Sequence, residues 1–160
     1  MEMKDSIAGE SSEPALVITR TFDAPSDLVF KAWTDPKQLA QWWGPSGFTN
    51  PVCDLDPRPG GAIRVHMRAP DGTTYPMSGV YREIDPPRRL VFLSSALDEE
   101  GRPLFEILNA LTFSAQGART VLRLEARVVK TTAQAQRYLD GMDEGWRQSL
   151  VRLAEHLKRR

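Results

Sequence analysis

The chain has 160 residues, 41% of them hydrophobic and 26% charged, which fits one domain with its own core and excludes disorder throughout. Lys plus Arg and Asp plus Glu both number 21, and no long basic run precedes the terminal Lys158-Arg159-Arg160, so neither nucleic acid nor a membrane is expected as a partner. A lone Cys53 with His66 and His156 can supply neither an internal disulfide nor a Cys/His zinc cluster, and no leader-like or membrane-length apolar run occurs; a cytoplasmic protein without metal or cofactor is expected.

Residues 1–13 (MEMKDSIAGESSE) are polar and aperiodic and are expected to form a disordered tail, leaving residues 14–160 as a single domain. Ala15 to Phe22 is rich in β-branched and apolar residues and predicts a strand that stops at Asp23-Ala24-Pro25. Pro25 and Ser26 suit the start of a short helix carrying Leu28, Val29, Ala32 and Trp33. Asp35-Pro36 opens a second, with Asp35 placed to accept from free N–H groups and Leu39, Trp42 and Trp43 on its apolar side. Neighbouring residues on a helix lie ~100° apart, so Trp42 and Trp43 cannot both face inward on it. One of them is expected at a cavity mouth or in a partner surface.

Six short runs follow: Phe48 to Leu55, Ile63 to Met67, Thr73 to Ile84, Leu90 to Leu97, Leu104 to Ala115 and Thr120 to Val129. Ile63, Val65 and Met67 alternate with Arg64, His66 and Arg68, and Leu122, Leu124, Ala126 and Val128 alternate with charged or exposed positions, so each strand has a wet and a dry face. Turn residues punctuate the series in meander order, which predicts a six-stranded antiparallel sheet and an α+β class rather than βαβ units. From Ala133 to Lys158 the apolar residues Leu139, Met142, Trp146, Leu150, Leu153 and Leu157 step at helical intervals. A helix of about 25 residues would run roughly 37 Å, enough to cross the concave face of a twisted sheet.

Together these pieces, Arg20-Thr21-Phe22-Asp23-Ala24-Pro25, Ala32-Trp33-Thr34-Asp35-Pro36, Gln41-Trp42-Trp43-Gly44-Pro45, Arg58-Pro59-Gly60-Gly61, Pro70-Asp71-Gly72, Gly79-Val80-Tyr81, Pro86-Pro87-Arg88-Arg89-Leu90-Val91-Phe92 and Gly145-Trp146, resemble the activator of heat-shock protein 90 ATPase homologue family. The resemblance is to its single-domain bacterial form within the START-like (SRPBCC) superfamily, and runs from about Val17 to Leu157. It implies a β-α-α-β6-α helix-grip fold, a curved sheet gripped by the last helix, and a space that superfamily members often use for apolar molecules. The namesake's additional chaperone-binding domain has no counterpart in the roughly 14 residues ahead of the first strand, which weighs against a chaperone partner. A homodimer is left open.

Candidate lining residues come from the strand faces and the last helix. Phe105, Ile107, Asn109, Leu111 and Phe113 share a strand face, and Asn109 is its one amide, satisfied by neighbours or available to a ligand's polar end. Tyr81 and Met77 share another face, and Met67, Met77 and Met142 suit an adaptable apolar lining. Gly141, Gly145 and Ser149 form a small-residue stripe beside Met142 and Trp146; Gly145 is expected to border cavity space and Gly141 packed backbone. Phosphate loops, H-E-x-x-H and nucleophile elbows are missing. Cys53 and His66 fall on different faces, Asp54 and Asp56 belong to a turn, and Glu106 with Arg123 reads as a surface pair. The expected function is therefore non-catalytic binding of an apolar or aromatic molecule at Trp42 or Trp43, Met67, Met77, Tyr81, Asn109, Leu111, Met142, Gly145 and Trp146. A cyclase or hydrolase acting on polyketide-like substrates and a chaperone-interacting protein are the alternatives.

Overall fold

The computed structural model describes residues 14–159 except 134–135 and the side chains of residues 137 and 138; the expected tail, 1–13, lies outside the described residues. The chain runs β1 (Leu16–Phe22), α1 (Ser26–Thr34), α2 (Pro36–Trp42), β2 (Thr49–Leu55), β3 (Ala62–Arg68), β4 (Thr74–Asp85), β5 (Arg89–Leu97), β6 (Pro103–Gln116), β7 (Arg119–Thr131), α3 (Gln136–Asp140) and α4 (Met142–Arg159). This is an α+β domain with an open antiparallel sheet and a C-terminal helix.

The sheet has seven strands, in the order β1-β7-β6-β5-β4-β3-β2, not six. The six strands after α2 form the expected meander, and β1 adds to its far edge, with Leu16 opposite Ala126 and Phe22 opposite Thr120. Without β1 the outer edge of β7 would present a row of unpaired N–H and C=O groups. Pairing there also turns Leu16, Ile18 and Phe22 onto the buried face already built by Leu122, Leu124 and Ala126.

Asp35 closes the start of α2 as expected: one carboxylate oxygen accepts from the Lys37 N–H at 3.0 Å, and Pro36 has no N–H to leave unsatisfied. The expected single C-terminal helix is instead two. Gly141 separates α3 from α4, and its carbonyl accepts the first bond of α4 from the Gly145 N–H at 3.0 Å. Glycine is a poor helix former and a good helix terminator, and Gly141 falls where the two helices meet. The remaining 18 residues of α4 span about 27 Å, and the helix packs on α1, α2 and β1 through Leu150, Leu153 and Leu157. Between these helices and the sheet lies the core, with Trp42, Phe22, Leu90, Leu111, Leu122, Leu124 and Leu153 its largest fully buried apolar side chains alongside Leu150.

Candidate functional site: an apolar cavity beneath the last helix

The half of the sheet away from this core does not close against α4, and a cavity of about 620 Å³ remains there. Its floor follows from strand register. Phe105 on β6 lies opposite Ala96 on β5, which lies opposite Met77 on β4; one row on, Ile107 lies opposite Ser94. Ala96 and Ser94 are small, so the centre of the floor is low while Phe105, Ile107 and Met77 stand around it. Met67 of β3 and Tyr75 of β4 extend the wall.

The roof is the small-residue flank of α4. Gly141, Met142, Gly145, Trp146 and Ser149 all line the space, and a Cβ built on Gly145 meets no heavy atom within 4 Å. Gly145 thus borders open space, as expected, and Gly141 is also among the lining residues.

The third wall is the segment between α2 and β2, which contributes Trp43, Gly44, Pro45 and Phe48. Trp43 and Trp42 are both buried, which the helical spacing argument did not allow. Trp43 is the C-cap of α2 and has extended backbone, φ −64° and ψ 134°, so it escapes the 100° rotation that would have turned it outward. Its ring packs edge-to-face on Trp146 at 5.3 Å and also meets Trp33 and Trp42, joining all four tryptophans into one cluster.

Arg152 holds this wall in place. Its guanidinium donates to five backbone carbonyls, those of Gln41, Trp43, Gly44, Pro45 and Phe48, at 3.0 to 3.2 Å. Ser149 Oγ accepts from the Gly44 N–H at 3.1 Å, and the Gln148 side chain accepts from the Ser46 N–H at 3.0 Å. Burial, then neighbouring Arg159, lowers the pKa of Arg152 from its ordinary value. Sequence reasoning missed this clamp, because an arginine on a helix flank reads as solvated and its backbone partners carry no sequence signature.

Seven of the ten candidate residues meet at the cavity: Trp43, Met67, Met77, Asn109, Met142, Gly145 and Trp146. The other three do not. Trp42 is fully buried and its indole N–H donates to the Ala32 carbonyl at 3.1 Å. Leu111 is fully buried in the core. Tyr81 lies with Trp33, Leu39 and Phe92 around a separate space of about 20 Å³, and burial raises its pKa.

The reactive-group candidates also separate. Cys53 lies opposite Val65 while His66 lies opposite Val52, so the two side chains take different faces. Burial, with Asp54 and then Asp35 adding to it, pushes the Cys53 thiol up to about 11, away from a thiolate at neutral pH. Asp56 pairs with Arg58 at 2.9 Å and Asp54 with Arg64 at 3.7 Å, all exposed. The expected Glu106–Arg123 pair does not form: Glu106 lies opposite Lys130, and Arg123 bonds Glu125 at 3.0 Å, because the β6–β7 register sets the two residues many positions apart. The described cavity wall carries no carboxylate, imidazole, ammonium or guanidinium group. Among the described residues no cluster of three His, Cys, Asp or Glu suits a metal ion, and no helix is long and apolar enough to cross a membrane.

Fold and cavity define an α+β protein with a mostly apolar cavity between an open antiparallel sheet and its last helix. The chain belongs to the activator of Hsp90 ATPase homolog 1-like protein family, whose model matches residues 23–158. It is similar to the AHSA1 protein of Silicibacter pomeroyi, at 29% identity and a TM-score of 0.73 over 89% of this chain and 96% of that one. A protein of Arthrobacter aurescens gives 27% identity and a TM-score of 0.80 over 90% and 86% of the two chains. One of Mycobacterium smegmatis gives 30% and 0.72 over 87% of each. No curated protein matches.

Proposed function

We propose that this protein is a helix-grip binding protein that takes up an apolar or aromatic small molecule beneath α4, without catalysis. The observation that carries the reading is the cavity itself: about 620 Å³, bounded by Trp43, Trp146, Met67, Met77, Phe105 and Ile107, with open space over Gly145. That volume lies inside the ~300–1,000 Å³ range of small-molecule sites, which are mostly apolar with few polar groups. The described wall offers no strong acid or base, which favours binding over a cyclase or hydrolase reaction.

A screen of apolar aromatic and lipid-like compounds tests this. Ligands should alter the emission of Trp43 and Trp146 and raise the melting temperature, since a molecule that binds only the native state stabilises it by about 2.7 kcal/mol at a hundredfold excess over Kd. A chemically broad library that moves neither signal would defeat the proposal. The family description supports a second reading, action on a heat-shock protein 90 ATPase; stimulation of that ATPase at stoichiometric ratios is its test, and the cavity reading predicts none.

A further inference from the structure

Asn109 is the one amide among the described residues of the cavity wall, and it is only 1% exposed. Its Nδ2 lies 3.3 Å from the carbonyl oxygens of Phe92 and Ile107 and 3.0 Å from Ser94 Oγ. Carbonyl oxygens only accept, so turning the amide over would set its oxygen against two others; the orientation is settled by its neighbours. The oxygen, Oδ1, receives no hydrogen bond among the described residues. Asn109 lines the cavity, and Oδ1 is the end of its amide that the described neighbours leave without a donor. Beside it, Ser94 Oγ accepts from Asn109, and the Ser94 hydroxyl hydrogen has no acceptor among the described residues. In a mostly apolar chamber, whose other described polar side-chain groups are the hydroxyls of Tyr75 and Ser149 and the indole N–H groups of Trp43 and Trp146, the floor therefore presents one acceptor next to one donor.

We infer that the ligand carries a hydroxyl group at its inner end, which donates to Asn109 Oδ1 and accepts from the Ser94 hydroxyl. This rests on the cavity being a binding site. A hydroxyl satisfies both groups at once. A ketone or ether offers no donor and leaves Oδ1 unpaired, and a buried unpaired acceptor is costly. A carboxylate would sit against Oδ1 with no cation in the described wall to offset its desolvation.

The test uses three probes of one shape, 1-hydroxypyrene, 1-methylpyrene and pyrene-1-carboxylate, titrated at neutral pH into the whole chain and followed by tryptophan quenching. The informative quantity is the ratio of the methylpyrene Kd to the hydroxypyrene Kd, compared between the native protein and Asn109→Leu, because the comparison cancels the probes' different hydrophobicities. Asn109→Leu should lower that ratio about tenfold, the value of one hydrogen bond, while methylpyrene binding persists. Ser94→Ala, which removes only a hydroxyl, should lower it severalfold, and keeps the test available if Asn109→Leu does not fold. Carboxylate should bind weakest. An unchanged ratio in a folded variant, or carboxylate binding best, overturns the inference and leaves the cavity proposal standing. Failure of all three probes to bind the native protein overturns both.

Discussion

Gly145 is the residue at which packing and function part company. A glycine in a helix interior costs up to about 1 kcal/mol relative to alanine, and less in the first turn, where Gly145 stands; nothing in the surroundings demands it, since a Cβ would meet only open space. Gly145→Leu should therefore keep or raise stability by several tenths of a kcal/mol in thermal or urea melts. A loss of ~1 to 3 kcal/mol, the range of an overpacked core, would show that α4 sits on packed atoms instead. Cys53 gives a second expectation. Its thiol is raised from 9.0 to about 11 in the fold, so the native state holds the proton more tightly than the unfolded chain. The resulting stability is complete below pH 9.0 and is lost as pH rises through about 11. Cys53→Ala should flatten that alkaline decline in melts taken across the same window, and alkylation of native protein at pH 8.5 should be slow and accelerate in urea. Buried Tyr81 acts with the same sign at higher pH.

At the scale of elements, α4 both closes the core and positions the cavity wall, and Arg152 links the two. Arg152→Ala removes the donor to five carbonyls, but the segment from Trp43 to Phe48 lies close enough to solvent for water to replace part of the loss. The expected cost is about 2 kcal/mol in denaturant melts, with weaker ligand binding besides. Arg152→Lys should recover less than half of it, because a compact ammonium cannot reach five acceptors spread around a planar fork. Full recovery would mean that charge alone matters. Strands and helices were legible in the sequence because alternation and helical spacing mark which face is buried, as at Ile63, Val65 and Met67. Strand count and the break at Gly141 were not. Which edge β1 joins depends on hydrogen bonding between residues about a hundred positions apart, and Leu139 and Met142 keep helical spacing across Gly141 whether or not the helix is continuous.

For the molecule as a whole, the candidate site was legible as a list of apolar faces but not as a volume. Met67, Met77, Asn109, Met142, Gly145 and Trp146 could be assigned from local pattern, since each needs only its own strand or helix period. Ser94 and Ala96 were not singled out, because their role depends on cross-strand register that brings two small side chains into the centre of the floor. Tyr81 and Leu111 share a face with cavity residues yet lie under α1 and α2, where the same sheet is packed solid. The central claim is that the remaining space is a ligand site. It is tested most directly by titrating one apolar aromatic ligand, taken from the screen, into the native protein and Gly145→Leu side by side, reading tryptophan emission, with a melt of each. The account predicts saturable one-site binding to the native protein and binding roughly tenfold weaker or worse in a variant that melts no lower, because the added side chain occupies the ligand's volume. Equal affinity in the two proteins would contradict it.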